Sequence, residues 1–127
     1  MNHDVALTFY RRYLEACNAR AWSELAAAVA PSVLVNGSVS TRSEYVADVQ
    51  ATVGAFPDYS WELRRLIVEG EWIAVHLADR GSRSSTFLGA PGDGANVETD
   101  EFDMYRIVGG EIVEVEGTAD NDRLRRS

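Results

Sequence analysis

The chain has 127 residues, with twelve arginines and no lysine against twenty acidic residues, and carries a formal net charge of −8. That surplus of carboxylates excludes a nucleic-acid or anionic-membrane partner, because phosphate binding needs a basic footprint. One cysteine, Cys17, and two histidines, His3 and His76, supply neither an internal disulfide nor a zinc set of ordinary spacing, and the missing lysine removes Schiff-base chemistry.

The length suits one domain, 1–127, with a sizeable core, and no internal repeat or linker divides it. No apolar run approaches the roughly 20 residues of a membrane span and no signal-peptide pattern opens the chain, so a cytoplasmic location is expected. No phosphate or dinucleotide loop is present, and neither a metal nor an organic cofactor is expected.

Helices come first. Over residues 4–20, Ala6, Phe9, Tyr10, Tyr13, Leu14 and Cys17 recur at the spacing of one helical face, with Asp4 as the expected cap. A shorter helix is predicted over 22–30, stopped by Pro31. Residues 33–35 then read as a short strand ending at the turn pair Asn36-Gly37. The third helix is predicted from Thr41, whose Glu44 three residues on makes a capping box. It turns Val46, Val49, Val53 and Phe56 inward and ends at Pro57-Asp58.

The remainder is predominantly strand: 59–68, 72–80, 82–88, 97–108 and 111–117 are rich in aromatic and β-branched residues. Turns at Glu69-Gly70-Glu71 and Gly109-Gly110 predict antiparallel neighbours. The loop 89–96, with three glycines and Pro91, reads as a connector or lid, and the charged tail 120–127 as a frayed end.

Within 97–108 an acid, Asp103, stands among Phe102, Met104, Tyr105 and Ile107. Alternation puts Thr99, Glu101, Asp103, Tyr105 and Ile107 on one face and Asp100, Phe102, Met104 and Arg106 on the other. Burying a lone carboxylate is costly, so Asp103 is either solvated or kept for chemistry. Glu101 shares its face roughly 7 Å along the strand. Such a pair pushes one pKa upward and offers an acid and a base from one wall. In 72–80, Ile73, Val75 and Leu77 lead on one face to Asp79, as in an apolar pocket wall with a polar rim. His76 falls on the opposite face with Trp72 and Ala74. Trp61 and Trp72 are either substrate-stacking surfaces or core and dimer contacts.

The succession of helix, helix, strand, helix and curved antiparallel sheet resembles the cone-shaped α+β barrel of the nuclear transport factor 2-like superfamily, within it the SnoaL-like polyketide cyclases and ketosteroid isomerase. The resemblance is carried by Arg12 to Ala19, Phe56-Pro57-Asp58, Glu69-Gly70-Glu71, Phe87 to Pro91, Phe102 to Ile107 and Gly110 to Glu114. It implies an α+β fold with N-terminal helices packed on a curved antiparallel sheet. In ketosteroid isomerase, the strand matching Phe102 to Ile107 supplies a protonated aspartic acid to the oxyanion hole and the first helix supplies its tyrosine partner; Asp103 and Tyr13 match them.

The departures are equally informative. The isomerase's general-base aspartate falls where this chain has Asn36-Gly37, and an asparagine takes no proton near neutral pH. The arginine and two aspartates of limonene epoxide hydrolase fall near Leu77, Asp79 and Gly117, so only Asp79 is kept. SnoaL-like chains often end their last strand with histidine, tryptophan and acids; residues 115–120 keep only Asp120 in register. Arg83 stands where relatives often carry a pocket histidine.

These readings lead to a cofactor-independent cyclase or isomerase acting on a small, apolar, oxygenated, polyketide-like molecule by acid-base catalysis. Asp103 is the expected acid or oxyanion donor, Tyr13 its partner, and Asp79, Glu101 or Asp120 the second titrating group. Asn36, Trp61, Arg83, Glu101 and Tyr105 are the expected substrate contacts. An epoxide hydrolase or epoxide-opening cyclase, and a non-catalytic binding or assembly protein, are the competing classes. A homodimer is expected through the outer sheet face bearing Trp72, His76, Phe102 and Met104.

Overall fold

The computed structural model describes residues 1–82 and 92–119. The strand expected over 82–88, Arg83, Asp120 and the expected frayed tail therefore lie outside the described residues, except that Ser82 closes the strand before it.

Among the described residues three helices, α1 (His3–Ala19), α2 (Trp22–Ala27) and α3 (Arg42–Ala55), accompany six strands: β1 (Val29–Val35), β2 (Ser38–Thr41), β3 (Ser60–Glu69), β4 (Trp72–Ser82), β5 (Asn96–Val108) and β6 (Glu111–Ala119). The strands form one sheet in the order β2-β1-β6-β5-β4-β3. All neighbours are antiparallel except β1 and β6, which run parallel, so the expected antiparallel sheet holds one parallel junction. Register shifts in the β1–β6, β3–β4 and β5–β6 pairs bend the sheet. The architecture is α+β, with the helices packed on a curved sheet.

The local rules account for most of the boundaries. Asn2, not Asp4, caps α1: its Oδ1 accepts from the Val5 N–H at 2.9 Å. Asp4 lies in the first turn, where negative charge still favours the helix dipole. At the other end Arg20 turns left-handed, with φ 58°, and its N–H meets the last carbonyls. Helix α3 has the expected capping box, with the Thr41 N–H donating to Glu44 Oε1 at 2.9 Å and the Glu44 N–H to Thr41 Oγ1 at 3.1 Å.

Helix α2 ends three residues before the predicted stop because Val29 and Ala30 join the sheet, where the Ile112 N–H donates to the Ala28 carbonyl at 2.8 Å. Asn36-Gly37, with φ of 48° and 85°, closes a tight hairpin into β2, a strand the sequence did not announce. Its four residues are exposed or half-exposed and leave no alternation to read.

Helix α1 lays Ala6, Tyr10, Tyr13, Leu14 and Cys17 against Ile73, Val75 and Leu77 of β4, Tyr105 of β5 and Val115 of β6. Each large side chain so buried contributes about 2 kcal/mol. Helix α3 differs from its expected face: Tyr45 and Ala55 are its buried residues, Val46 and Val49 are half-buried, and Phe56 is enclosed just beyond the helix end. Gly81 allows that enclosure, since a Cβ there would come within 3.0 Å of the Tyr59 ring and 3.1 Å of Phe56 Cβ. No described helix is long and apolar enough to cross a membrane.

Candidate active site

The curved sheet, α1 and α3 enclose a cavity of about 230 Å³. Strand alternation decides what faces it. Thr99, Asp103, Tyr105 and Ile107 are buried on the inner face of β5, as are Ile73, Val75, Leu77 and Asp79 on β4, while Phe102 and Met104 are exposed on the other side. All five tyrosines of the chain, Tyr10, Tyr13, Tyr45, Tyr59 and Tyr105, line the cavity. Glu101, Asp103, Trp61 and Leu77 line it too, and Asp48 and Thr52 of α3 complete the wall.

Two hydroxyl systems cross this space. Tyr10 donates to the Tyr105 hydroxyl at 3.2 Å, and Tyr105 donates to Asp103 Oδ2 at 3.2 Å. Tyr13 pairs instead with Tyr45, oxygen to oxygen at 2.6 Å. The expected Tyr13–Asp103 pair is thus corrected: the helix tyrosine connected to Asp103 is Tyr10, one turn earlier, and it acts through Tyr105. Tyr10 and Tyr13 share a helical face and stack at 5.4 Å, so residue type and spacing alone could not separate them.

On the sheet, Glu101 stands opposite Leu77, and Asp79 and Asp103 are its diagonal and same-strand neighbours. Its carboxyl is within hydrogen-bonding reach of both. Burial pushes Glu101 up to about 12, and the hydrogen bonds and negative charge of Asp103 and Asp79 act in the same direction. Burial also raises Asp79, against hydrogen bonds from Glu101 and Tyr59 that favour its ionised form. Asp79 is fully buried and absent from the cavity wall: it lies behind Glu101. Tyr59 donates to Asp79 Oδ2 at 3.0 Å.

Gly117 faces Asp103 across the β5–β6 ladder, and a Cβ there would overlap Asp103 Oδ1 and lie 2.8 Å from Cγ. The bare glycine makes room for the acid. Tyr59 and Trp61 are themselves held in place: Arg20 donates to the carbonyls of Pro57 and Tyr59 at 2.9 and 2.7 Å, and Asn18 exchanges two 2.9 Å hydrogen bonds with the Trp61 backbone. Burial raises the Cys17 thiol to about 12, which leaves a poor nucleophile.

Asp103, Tyr13, Glu101, Tyr105 and Trp61 therefore meet in one cavity, with Asp79 directly behind it. Asn36 lies outside this cavity and lines, with Asp103 and Gly117, the larger groove of about 560 Å³ on the other side of the sheet. It sits in the β1–β2 turn, exposed, and its Oδ1 accepts from the Gly117 N–H at 2.9 Å, so it braces the strand that faces Asp103. Tyr10, Tyr45, Tyr59 and Gly117 were not among the expected site residues. His76 lies on the outer face as expected, stacked on Phe102 at 4.5 Å with Nε2 2.9 Å from Asp100 Oδ1.

A curved sheet closed by helices over an acid-lined hollow defines the nuclear transport factor 2-like fold. The chain belongs to the SnoaL-like polyketide cyclase family, whose model matches residues 7–126. It is similar to a SnoaL-like polyketide cyclase from Agrobacterium tumefaciens, at 25% identity over 93% of each chain with a TM-score of 0.83. IdmH from Streptomyces antibioticus, a candidate polyketide cyclase, is 24% identical over 91% of this chain and 92% of its own, with a TM-score of 0.81. TsrD from Streptomyces laurentii shares 20% identity over 99% and 96%, with a TM-score of 0.89; at that identity the likeness speaks to fold alone. No curated protein matches the chain.

Proposed function

We propose that the chain is a cofactor-independent cyclase or isomerase that works on a small, apolar, oxygenated, polyketide-like molecule by acid-base catalysis in the cavity. The observation that carries this reading is that two carboxyls, Glu101 and Asp103, line one cavity wall two residues apart on β5, where burial and the neighbouring carboxylates favour the acid form of Glu101. Two adjoining acids in unlike environments can divide proton donation and proton acceptance between them.

In an intramolecular aldol closure Asp103 takes the proton from carbon beside one carbonyl. The resulting carbanion attacks a second carbonyl, and Glu101 delivers its proton to the oxygen that becomes a hydroxyl. A carbon–carbon bond forms and the mass is unchanged. The Tyr13–Tyr45 pair supplies a hydroxyl donor from the helical side, and Trp61 with the tyrosine rings gives flat apolar surface. The described walls enclose about 230 Å³, under the roughly 300–1,000 Å³ of typical ligand pockets. A compact substrate fits better than a long one.

The test is incubation of the purified protein with small 1,3-dicarbonyl and polyketide-like esters in heavy-oxygen water, read by mass spectrometry and NMR. A product of unchanged mass, or one lacking a single water, supports the proposal, and Glu101→Gln should lower its rate by about a hundredfold or more. Incorporation of solvent oxygen from an epoxide would favour the epoxide hydrolase instead. A co-purified ligand bound and always recovered unchanged would favour a binding protein.

A further inference from the structure

We infer that Asp79 is a positioning residue: anchored by Tyr59, it accepts the Glu101 proton and so fixes Glu101 as the acid facing the cavity. The inference rests on the acid-base reading above for its catalytic meaning but on hydrogen-bond accounting for its content. Asp79 is 0% exposed, and its Oδ2 is taken by the Tyr59 hydroxyl at 3.0 Å. Its Oδ1 is equally buried and receives no N–H or hydroxyl hydrogen from the described residues.

An unpaired buried carboxylate oxygen is costly. The neighbour able to relieve it is the Glu101 carboxyl, which is within hydrogen-bonding reach of Asp79. Two ionised carboxylates would repel there, whereas a protonated Glu101 donates. Asp79 is the better acceptor of the two because the Tyr59 hydroxyl already stabilises its negative form. Tyr59 is fixed in turn through its own backbone, whose carbonyl accepts from Arg20 at 2.7 Å, and through ring contacts with Phe56 and Trp61.

Among the described residues that line the cavity, no cation competes for Glu101. Glu101 is faced by Asp103 and Tyr105 of β5, Tyr10 and Tyr13 of α1, Tyr45 and Asp48 of α3, and Tyr59, and none of these is a cation. Nor does Asp79 line the cavity itself. Its influence on a substrate passes through its two cavity-lining partners, Glu101 and Tyr59.

The experiment is carbon-13 NMR of the side-chain carboxyls in the full-length folded protein, titrated with pH, for wild type, Asp79→Asn and Tyr59→Phe. In wild type the Glu101 carboxyl should remain protonated at pH 7, with no step near the ordinary glutamate midpoint of about 4.3. Asp79→Asn should weaken Glu101's hold on its proton at least about tenfold, moving its step down by a pH unit or more. Tyr59→Phe changes no formal charge and acts only through Asp79, so it should shift the shared proton toward Asp79 by about tenfold.

A Glu101 step in the ordinary range, or a step that stays put in both variants, would overturn the assignment. Should Asp79→Asn fail to fold, Tyr59→Phe carries the same readout with one hydroxyl removed. The titration needs no substrate, so failure of turnover with Glu101 still protonated would refute the proposed reaction while leaving this assignment standing, and a Glu101 step that is raised but stays put in both variants, with turnover intact, would do the reverse.

Discussion

Gly117 and Asp103 face each other across the last ladder of the sheet, and the side chain that one lacks is the space the other's carboxyl fills. The acid is therefore placed by a glycine on the neighbouring strand as well as by its own backbone.

Gly117→Ala should destabilise the fold by about 1–3 kcal/mol through overpacking and displace the Asp103 carboxyl, with turnover falling more than tenfold. Adding Asp103→Ala should recover part of the lost stability, because the clash with the carboxyl goes while the 2.9 Å approach to the Phe102 carbonyl oxygen stays. Thermal unfolding of the four-member cycle measures this. Additive losses would show that the two positions are not coupled.

Stability should fall as the solution becomes more alkaline, in part because of Glu101. The unfolded chain gives up this proton near pH 4.3, whereas the folded protein holds it to about 12. Between those values the native state binds the extra proton, so raising the pH favours unfolding. Glu101→Gln keeps a donor to Asp79 and abolishes the titration. Its melting temperature should gain on that of wild type steadily from pH 5 to pH 9; a constant difference would mean that Glu101 is ionised in the fold.

Exhaustive dialysis against a chelator should leave turnover unchanged. The proposed chemistry asks only for carboxyls and phenols that the chain itself carries. Activity lost on dialysis and restored by one metal ion would show a different reaction.

We propose a homodimer through the outer sheet face. A groove of about 560 Å³ there gathers Ile67, Ala74, His76, Phe102 and Met104, flanked by Arg65 on β3 and Glu116 on β6. Trp72 pairs with Glu69 at the far end of β4 and is not part of it. Opposite charges on the two flanks suit a second copy turned about an axis running roughly along the strands, which lays each Arg65 toward the other's Glu116. Arg65→Glu and Glu116→Arg should each weaken the dimer in sedimentation or light scattering, and the double swap should restore it. A wild-type mass of 14.0 kDa at micromolar concentration would end the idea.

The fold was legible because its signals are local. The periodicity of α1, the Thr41–Glu44 capping box, the Gly109-Gly110 turn and the alternation through Asp103 each lie within a dozen residues. Alternation also put Glu101, Asp103 and Asp79 on inner faces. The partners of those acids were not legible, because hydroxyls that meet belong to distant segments: Tyr10 and Tyr105 are 95 positions apart. A tyrosine on an apolar stripe reads as core, and every one of these five is core by burial. Only the crossing of α1 and α3 over the sheet tells which hydroxyls converge. The brace that Asn36 supplies was hidden for a related reason, since its side chain bonds a strand 81 residues away.

The concentration of every phenol in one buried chamber has a spectroscopic consequence. Burial raises each of Tyr10, Tyr13, Tyr45, Tyr59 and Tyr105 above the ordinary value near 10, and the described chain has no solvent-facing tyrosine to titrate ahead of them. Phenolate absorbance in strong base is then a gauge of the chamber opening. It should rise in one cooperative step, coincident with loss of the far-ultraviolet dichroism, where a protein with surface tyrosines would show a gradual climb.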